Sequence, residues 1–176
     1  MSQGVTVIDD PVPAIVAERA ITRILQAYTR AVDRFDWELL RSCYWPDATD
    51  HHGTFVGGVD EFVAYLQKLM PRWQATSHQL AQTLIDLDLD HDLAGTETYA
   101  TATHVARLGD GRLEHMIAGI RYADRFERRG DEWRIAKRTV LFDWHRTVPV
   151  GERTGFAPGS ILGERSQADL AYHTTD

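Results

Sequence analysis

Apolar residues recur at helical spacing in the first part of the chain and at alternating spacing in the second. Between residues 14 and 34 they return every three or four positions, which predicts a first amphipathic helix. Asp36 has the side chain of an N-cap for a second, short helix that ends before Pro46. A third helical pattern follows a pair of glycines and ends at Pro71. Three helices are therefore expected ahead of the strands.

The second half of the chain has the pattern of strands joined by hairpins. Over residues 85–90 apolar side chains alternate strictly with aspartates, as expected of a strand with one wet face. Further strands are predicted over 96–105, 113–127 and 132–144, and Gly109-Asp110-Gly111 is a hairpin signal. Helices followed by hairpin-linked strands predict an α+β fold with an antiparallel sheet and its helices on one face. A curved sheet of this kind encloses a pocket.

The length of 176 residues fits one domain with a sizeable core. Residues 1–13 contain two prolines and no periodicity, so they are expected to form a loose arm. The predicted helices and strands occupy residues 14–148. The segment 149–176 carries glycine, proline, arginine and serine with few apolar residues, and is expected to form a strap or lid over the domain.

Composition and charge argue against several classes of partner. The formal net charge is -7 and there is no block of lysine and arginine, so nucleic acid is not an expected partner. The single cysteine, Cys43, excludes an internal disulfide and a cysteine-rich zinc site. No apolar run reaches membrane-spanning length, and residues 1–4 lack the features of a signal peptide. We therefore expect a cytoplasmic protein with no membrane partner.

The sequence has no motif that binds nucleotides or metals, and none that carries a nucleophilic serine. It has no GxGxxG, Walker or GxSxG pattern. The densest group of metal-ligand types is His51 and His52 beside Asp47 and Asp50. Adjacent residues on an extended segment point to opposite sides, so the two histidines are not expected to share an ion. The expected chemistry is acid–base catalysis by side chains, without metal or cofactor.

Asp33 and His78 are the candidates for that chemistry. Asp33 stands near the end of the first predicted helix, and His78 precedes the first long strand. Brought together, they would form a general base whose imidazole is oriented by a carboxylate. The alternative is structural: Asp33 lies off the apolar stripe of its helix and would be solvated, His78 would be a satisfied histidine at a strand entrance, and Tyr28 an ordinary core aromatic.

Several short motifs occur in the order and spacing of one protein family. They are Tyr28-x-x-x-x-Asp33, Asp36-Trp37, Asp47-Ala48-x-Asp50-His51-His52-Gly53, His78 before the first long strand, and Phe126-Glu127-Arg128-Arg129 followed by Trp133-Arg134-Ile135. Over residues 16–146 the chain resembles the SnoaL-like branch of the nuclear transport factor 2-like superfamily. The resemblance implies a cone of curved antiparallel sheet, an α+β barrel that the three N-terminal helices close around an apolar cavity. It also implies the cofactor-free lyase chemistry of several members.

Carried over by position, the resemblance gives roles to individual residues. Asp33 and His78 match the catalytic dyad, with His78 as the base. Tyr28 and His52 match positions that hold catalytic or substrate-polarising side chains in relatives, and both are expected to donate hydrogen bonds. Thr103 stands where dehydratases of the family have a second catalytic histidine.

Strand alternation sends His104 to the opposite face from Thr103. The expected substrate-binding residues are Phe55, Tyr65, Trp73, Tyr99, Thr101, Thr103, Ile120, Tyr122, Arg138 and Trp144, with Phe62, Leu69, Met70, Met116 and Phe142 as further candidates for the cavity lining. Their size favours a bulky aromatic or polycyclic substrate. Arg138 is expected at the cavity mouth or at an exposed strand position.

The leading hypothesis is a cofactor-independent lyase acting on a hydrophobic, aromatic, hydroxylated compound. His78 would remove a proton and expel water or a small fragment such as formaldehyde. An isomerase remains an alternative, because the same base can return the proton elsewhere. A non-catalytic small-molecule binder or a dioxygenase β-type subunit is another, although such a protein has no need of a polar pair in its cavity. The resemblance also implies a homo-oligomer, with a trimer favoured.

Overall fold

The computed structural model describes residues 10–108, 110–150 and 156–174. Residues 1–9 of the predicted arm, Gly109 of the predicted hairpin, and residues 151–155 and 175–176 of the predicted strap lie outside these ranges. The elements in chain order are α1 (Pro11–Arg34), α2 (Trp37–Ser42), β1 (Tyr44–His52), β2 (Phe55–Gly58), α3 (Val59–Leu69), β3 (Trp73–Asp88), β4 (Leu93–Arg107), β5 (Leu113–Arg129) and β6 (Glu132–Pro149). Short 3₁₀ turns occupy Met70–Arg72 and Leu170–Tyr172. None of these helices is long and apolar enough to cross a membrane.

The ends of α1 and the start of α2 are fixed by local side-chain chemistry. Asp10 caps α1 and Pro11 occupies its first turn, so the helix begins three residues earlier than the periodicity predicts. Phe35 ends α1 in the left-handed region at φ +58°. Asp36 then accepts a hydrogen bond from the Leu39 amide at 3.1 Å and starts α2, as predicted. The chain therefore turns sharply next to Asp33.

Six strands form one curved, open sheet in the order β2-β1-β6-β5-β4-β3. The strands from β3 to β6 are antiparallel neighbours, as predicted, but β1 pairs with β6 in parallel, so the sheet is mixed. The predicted antiparallel arrangement is therefore wrong for the pairing of β1 with β6. Strands β1 and β2 were missed because Pro46 reads as a helix stop. The register of β1 shifts between Tyr44 and Thr49, and such an irregularity accommodates a proline that has no amide to donate.

The core lies between the inner face of the sheet and helices α1 and α3. Arg138 of β6 is completely buried there, rather than at the cavity mouth or at an exposed position. Its Nε and Nη2 donate to the two carboxylate oxygens of Asp124 on β5 at 2.8 and 2.6 Å. The rings of Tyr28 and Tyr122 lie 4.0 and 4.2 Å from its guanidinium carbon. The cation is buried because the hairpin register places Asp124 opposite it.

The described part of the C-terminal segment, residues 156–174, returns to the end of α1. Arg30 donates to the backbone oxygen of Ala171 at 2.9 Å, and Arg34 forms an ion pair with Asp169 at 3.3 Å. These contacts place the segment beside the turn that follows Asp33.

Candidate active site

Asp33 and His78 lie in direct contact where the last turn of α1 meets β3. The Nδ1 atom of His78 is 2.8 Å from Oδ1 of Asp33, and the backbone amide of His78 donates to Oδ2 at 2.9 Å. The hydroxyl of Thr76 donates to Oδ1 at 2.8 Å. The carboxylate therefore accepts hydrogen bonds from two residues of one strand, which fixes its orientation.

Asp33 is largely shielded from solvent although helix periodicity places it off the apolar stripe. Strand β3 packs against α1 and covers the flank of its last turn. The side chains of Asp33 and His78 are only 14% and 9% exposed. The apolar periodicity of α1 reflects the contacts of this helix with the core. It carries no information about the position of β3, which begins 40 residues after Asp33 in the chain.

The environment of Asp33 favours its ionised form. Burial opposes ionisation, but the hydrogen bonds and the proximity of His78, together with the Thr76 hydroxyl, outweigh it and hold the pKa of the Asp33 carboxyl below its usual value. An ionised carboxylate requires a proton on Nδ1 of His78, which leaves Nε2 of His78 as the free acceptor. The pair can therefore take a proton from a group that approaches this nitrogen.

His78 borders an enclosed cavity of about 80 Å³. The cavity is lined by Tyr28, Val32, His52, Leu66, Leu69, Met70, His78, Ala102, His104, Met116, Ala118, Ile120 and Phe142. The large predicted lining residues implied a cavity for a bulky aromatic or polycyclic substrate. The observed cavity is smaller than that, because an apolar cavity that holds benzene measures about 150 Å³. Phe142 is 56% exposed and stands at the edge of this space.

His104 lines the cavity, whereas the prediction placed Thr103 there. Thr103 and His104 do lie on opposite faces of β4, but the inner face carries Ala102 and His104. The ring of His104 is 5.2 Å from that of His78 and perpendicular to it. Burial, aided by the positive charge that His78 can carry, lowers the pKa of His104 to about 3, so it is neutral at physiological pH. Alternation fixes which residues share a face but not which face is the inner one.

Several other predicted binding residues lie outside the cavity lining. Tyr99, Thr101 and Thr103 occupy the β4 positions that alternate with the inward-facing Ala100 and Ala102. The ring of Trp144 is half-exposed and covers Gly119, whose neighbours Ala118 and Ile120 line the cavity.

Three more of the predicted residues, Phe55, Tyr65 and Trp73, lie outside the cavity lining and pack against the aromatic rings around it. Phe55 stacks on Tyr65 and contacts Phe62, which in turn stacks on His52. Trp73 packs against His104 with ring centroids 5.0 Å apart. Tyr122, like Arg138, belongs to the buried core beneath Tyr28. Of the ten predicted binding residues, Ile120 lines the cavity directly.

Tyr28 and His52 bring polar groups to the cavity, as the sequence predicted. Burial raises the pKa of the Tyr28 hydroxyl well above its usual value, so Tyr28 remains a phenol that can donate a proton in a hydrogen bond. Nδ1 of His52 lies 3.5 Å from Oδ1 of Asp50, and Asp50 accepts a 2.6 Å hydrogen bond from the Tyr44 hydroxyl. Three imidazoles and one phenol therefore border one apolar space, because His78 and His104 line it as well.

Arg165 of the C-terminal segment is connected to the dyad through hydrogen bonds. It was not among the residues predicted from the sequence. Its Nη1 donates to the backbone oxygen of Trp73 at 2.5 Å, and its Nη2 donates to the Thr76 hydroxyl at 3.2 Å. The guanidinium also lies 3.9 Å from the centroid of the Phe35 ring. Thr76 in turn donates to Asp33, so Arg165 is one hydrogen bond removed from the carboxylate. A single arginine in a polar tail gives no sequence signal.

Within the described ranges, no three histidine, cysteine, aspartate or glutamate side chains are grouped to hold a metal ion. His51 is exposed while His52 points inward, as expected of adjacent residues on an extended segment.

The SnoaL-like domain family matches residues 13–139, which is most of the chain. The protein belongs to the SnoaL-like family. Three solved structures similar to this SnoaL-like chain are 16–20% identical to it. A hexachlorocyclohexane dehydrochlorinase from Novosphingobium barchaimii is 16% identical with a TM-score of 0.69, covering 85% of this chain and 100% of that chain.

The other two structures come from Novosphingobium aromaticivorans. A provisionally assigned scytalone dehydratase is 20% identical with a TM-score of 0.66, covering 85% of this chain and 97% of that chain. The β subunit of a provisionally assigned aromatic-ring-hydroxylating dioxygenase is 18% identical with a TM-score of 0.59, covering 76% and 94%. No curated protein matches the SnoaL-like chain. At these identities the similarity establishes the shared fold, and function must be argued from the site.

Proposed function

We propose that this SnoaL-like protein is a cofactor-independent lyase whose general base is the Asp33–His78 pair. The observation that supports it best is the contact between Nδ1 of His78 and a carboxylate that Thr76 and the His78 amide also hold, at the wall of an enclosed apolar cavity. A carboxylate that orients an imidazole at the wall of a cavity in this way is the usual arrangement of a general base.

The proposed reaction is an elimination. Nε2 of His78 removes a proton from a carbon or oxygen of the substrate, and the released electron pair expels a hydroxyl or another small fragment. Asp33 keeps the imidazole in the required tautomer and stabilises the imidazolium that forms. The phenol of Tyr28 and the imidazole of His52 border the same cavity and can donate hydrogen bonds to the oxygen on which negative charge develops. Because apolar side chains surround the site, these contacts are not weakened by bulk water.

The proposed substrate is a hydrophobic, hydroxylated compound, preferably aromatic. The cavity of about 80 Å³ accommodates its reacting end, and the remainder would extend past Phe142 at the edge. Methionine side chains adapt their shape readily, and Met70 and Met116 both line the cavity, so the space can widen around a ring.

Outward-facing apolar side chains support the homotrimer that the family resemblance implies. Tyr99, Leu84 and Trp144 are 41%, 61% and 52% exposed on the described surface of the sheet. We expect light scattering to give three times the chain mass of 20.0 kDa, and a monomer would contradict this proposal.

The test is a panel of hydroxylated aromatic and alicyclic compounds incubated with protein that has been treated with a chelator. Loss of water or of a one-carbon fragment is followed by mass spectrometry. His78→Ala is expected to lower turnover by about 10²–10⁴-fold, the usual contribution of a general base.

The matched control is His91→Ala. His91 forms a similar pair with Asp88, at 2.9 Å, but on the exposed surface. Equal activity of wild type and His78→Ala would overturn the proposal. Exchange of a substrate proton without loss of a fragment would identify the isomerase alternative.

A further inference from the structure

Three charged side chains form a row across the inner face of the sheet. Asp50 on β1 is the register partner of Arg138 on β6, and Arg138 is the partner of Asp124 on β5. All three are buried, at 0%, 0% and 6% exposure. Arg138 is paired in a bidentate manner with Asp124, and no ion pair within 4.0 Å joins it to Asp50. Two carboxylates are therefore buried beside one guanidinium.

Asp50 lacks a donor for one of its two oxygens. Tyr44 donates to Oδ2, while Oδ1 has no hydrogen-bond partner among the described residues. The ring nitrogen Nδ1 of His52 is also buried without a partner there, and it lies 3.5 Å from that same oxygen. Buried polar atoms without partners are costly, and these two satisfy one another when Nδ1 carries a proton.

The local structure holds His52 in this position. Asp50 and His52 are two residues apart on β1, so their side chains leave the same face of the strand. The His52 ring stacks on Phe62 at 5.2 Å and contacts Phe142 at 6.3 Å. With Nδ1 turned to Asp50, the nitrogen left for the cavity is Nε2.

His52 and His78 approach the cavity from different walls. They belong to β1 and β3, which are separated in the sheet by β6, β5 and β4. Each has a carboxylate at its Nδ1, Asp50 in one case and Asp33 in the other. His104, whose ring lies 5.2 Å from that of His78, is neutral, with a pKa of about 3.

We infer that Asp50 and His52 form a second carboxylate–imidazole pair, in which His52 is the proton donor of the reaction and Asp50 its positioning residue. This inference rests on the proposed function. Charge supports the donor role: Nε and Nη2 of Arg138 bind Asp124 and its buried Nη1 forms no ion pair with Asp50, so among the described residues a protonated His52 is the cation within 4.0 Å of Asp50. Tyr28 from α1 contributes only a phenol.

The step balances for loss of water. Nε2 of His78 takes a proton from carbon, the electrons of that C–H bond form the double bond, and the C–O bond breaks. Nε2–H of His52 gives its proton to the departing oxygen, which leaves as water. His78 ends protonated and His52 ends neutral, and exchange with solvent restores both.

The test uses the full chain labelled with ¹⁵N-histidine, because nitrogen chemical shifts report protonation and tautomer without any substrate. The chain has eight histidines, and His52→Gln assigns the signal by its loss. We expect both ring nitrogens of His52 to be protonated at pH 7, with a downfield Nδ1 proton. In Asp50→Asn that proton signal is expected to vanish and the ring to become neutral.

Asp88→Asn is the control, because it removes the exposed partner of His91 and should leave the His52 signals unchanged. A neutral His52 in the wild type overturns the inference even where Asp50→Asn does not fold. A charged His52 that Asp50→Asn does not alter also overturns it.

An activity measurement follows on any compound that the panel converts. Asp50→Asn is expected to lower kcat by about 10²-fold with little change in KM, because a positioned acid acts in the transition state. If no compound is converted, the proposed function fails, while the nitrogen spectra still decide whether the second pair exists.

Discussion

His104 is expected to make the folded protein sensitive to mild acid. The imidazole is largely buried, against Trp73 and beside His78, and it is neutral in the folded state because its pKa is lowered to about 3. In the unfolded chain its pKa is about 6.5. The unfolded state therefore binds more protons than the folded state between these two pKa values. The contribution of His104 to the free energy of unfolding is fully present above pH 6.5 and is lost as the pH falls toward 3.

The size of the effect follows from the two pKa values. At pH 5 the unfolded chain has gained almost one full proton at His104, while the folded protein has gained almost none. The difference relative to pH 8 is about 2 kcal/mol, at 1.36 kcal/mol for each pH unit below 6.5. This figure changes little if the folded pKa is a unit higher, since pH 5 would still lie above it.

The measurement is urea unfolding at pH 8 and pH 5, followed by circular dichroism, for the wild type and His104→Asn. With a slope of about 2 kcal/mol per molar urea, the wild-type midpoint should fall by about 1 M more than that of the variant. The space left by the smaller asparagine side chain lowers the urea midpoint of the variant equally at both pH values, so it cancels in the difference. The lowered pKa of Asp33 acts only below about pH 4 and cancels as well. Parallel losses in the two proteins would show that His104 is not held neutral by its surroundings.

Three further predictions concern the dyad, the core and the thiol. Thr76→Val removes one hydrogen bond to Asp33, so the pKa of that carboxyl should rise and turnover should fall by about tenfold; an unchanged rate would mean that Thr76 is a bystander. Arg138→Met should destabilise the fold by about 3–5 kcal/mol in urea unfolding, because it leaves Asp124 as an unpaired buried charge. The double variant with Asp124→Leu should lose less, and an equal or greater loss would contradict this reason. Burial raises the pKa of the Cys43 thiol to about 12, so a thiol reagent should react only on unfolding, and rapid labelling of the folded protein would refute it.

Much of the fold was predictable because it depends on local patterns. Helices α1 and α3 follow from apolar spacing, and Asp36 marks the start of α2 by its cap. Strands β3 to β6 follow from alternation and hairpin signals, although β4, β5 and β6 extend beyond their predicted bounds, and β3 begins at Trp73 and ends at Asp88 rather than spanning 85–90. The Asp33–His78 contact was predicted through family resemblance, since periodicity alone placed Asp33 in solvent.

The predictions that failed concern features that depend on contacts between distant parts of the chain. The parallel pairing of β1 with β6 puts Tyr44 beside Ile135, and no local pattern specifies that partner. The burial of Arg138 depends on the hairpin register that places Asp124 opposite it. The inward position of His104 depends on which face of β4 the helices cover. Alternation leaves that choice open, and it decides which side chain reaches the cavity.

The most direct test of the Asp33–His78 base is the turnover of four proteins on one converted compound from the panel: wild type, His78→Ala, Asp33→Asn and the double variant. Residues that act as a unit are non-additive in their effects on kcat. We predict that each single change lowers kcat by at least about 10²-fold and that the double variant is no slower than His78→Ala alone. Wild-type turnover in His78→Ala, or losses that multiply in the double variant, would contradict a general base formed by this pair.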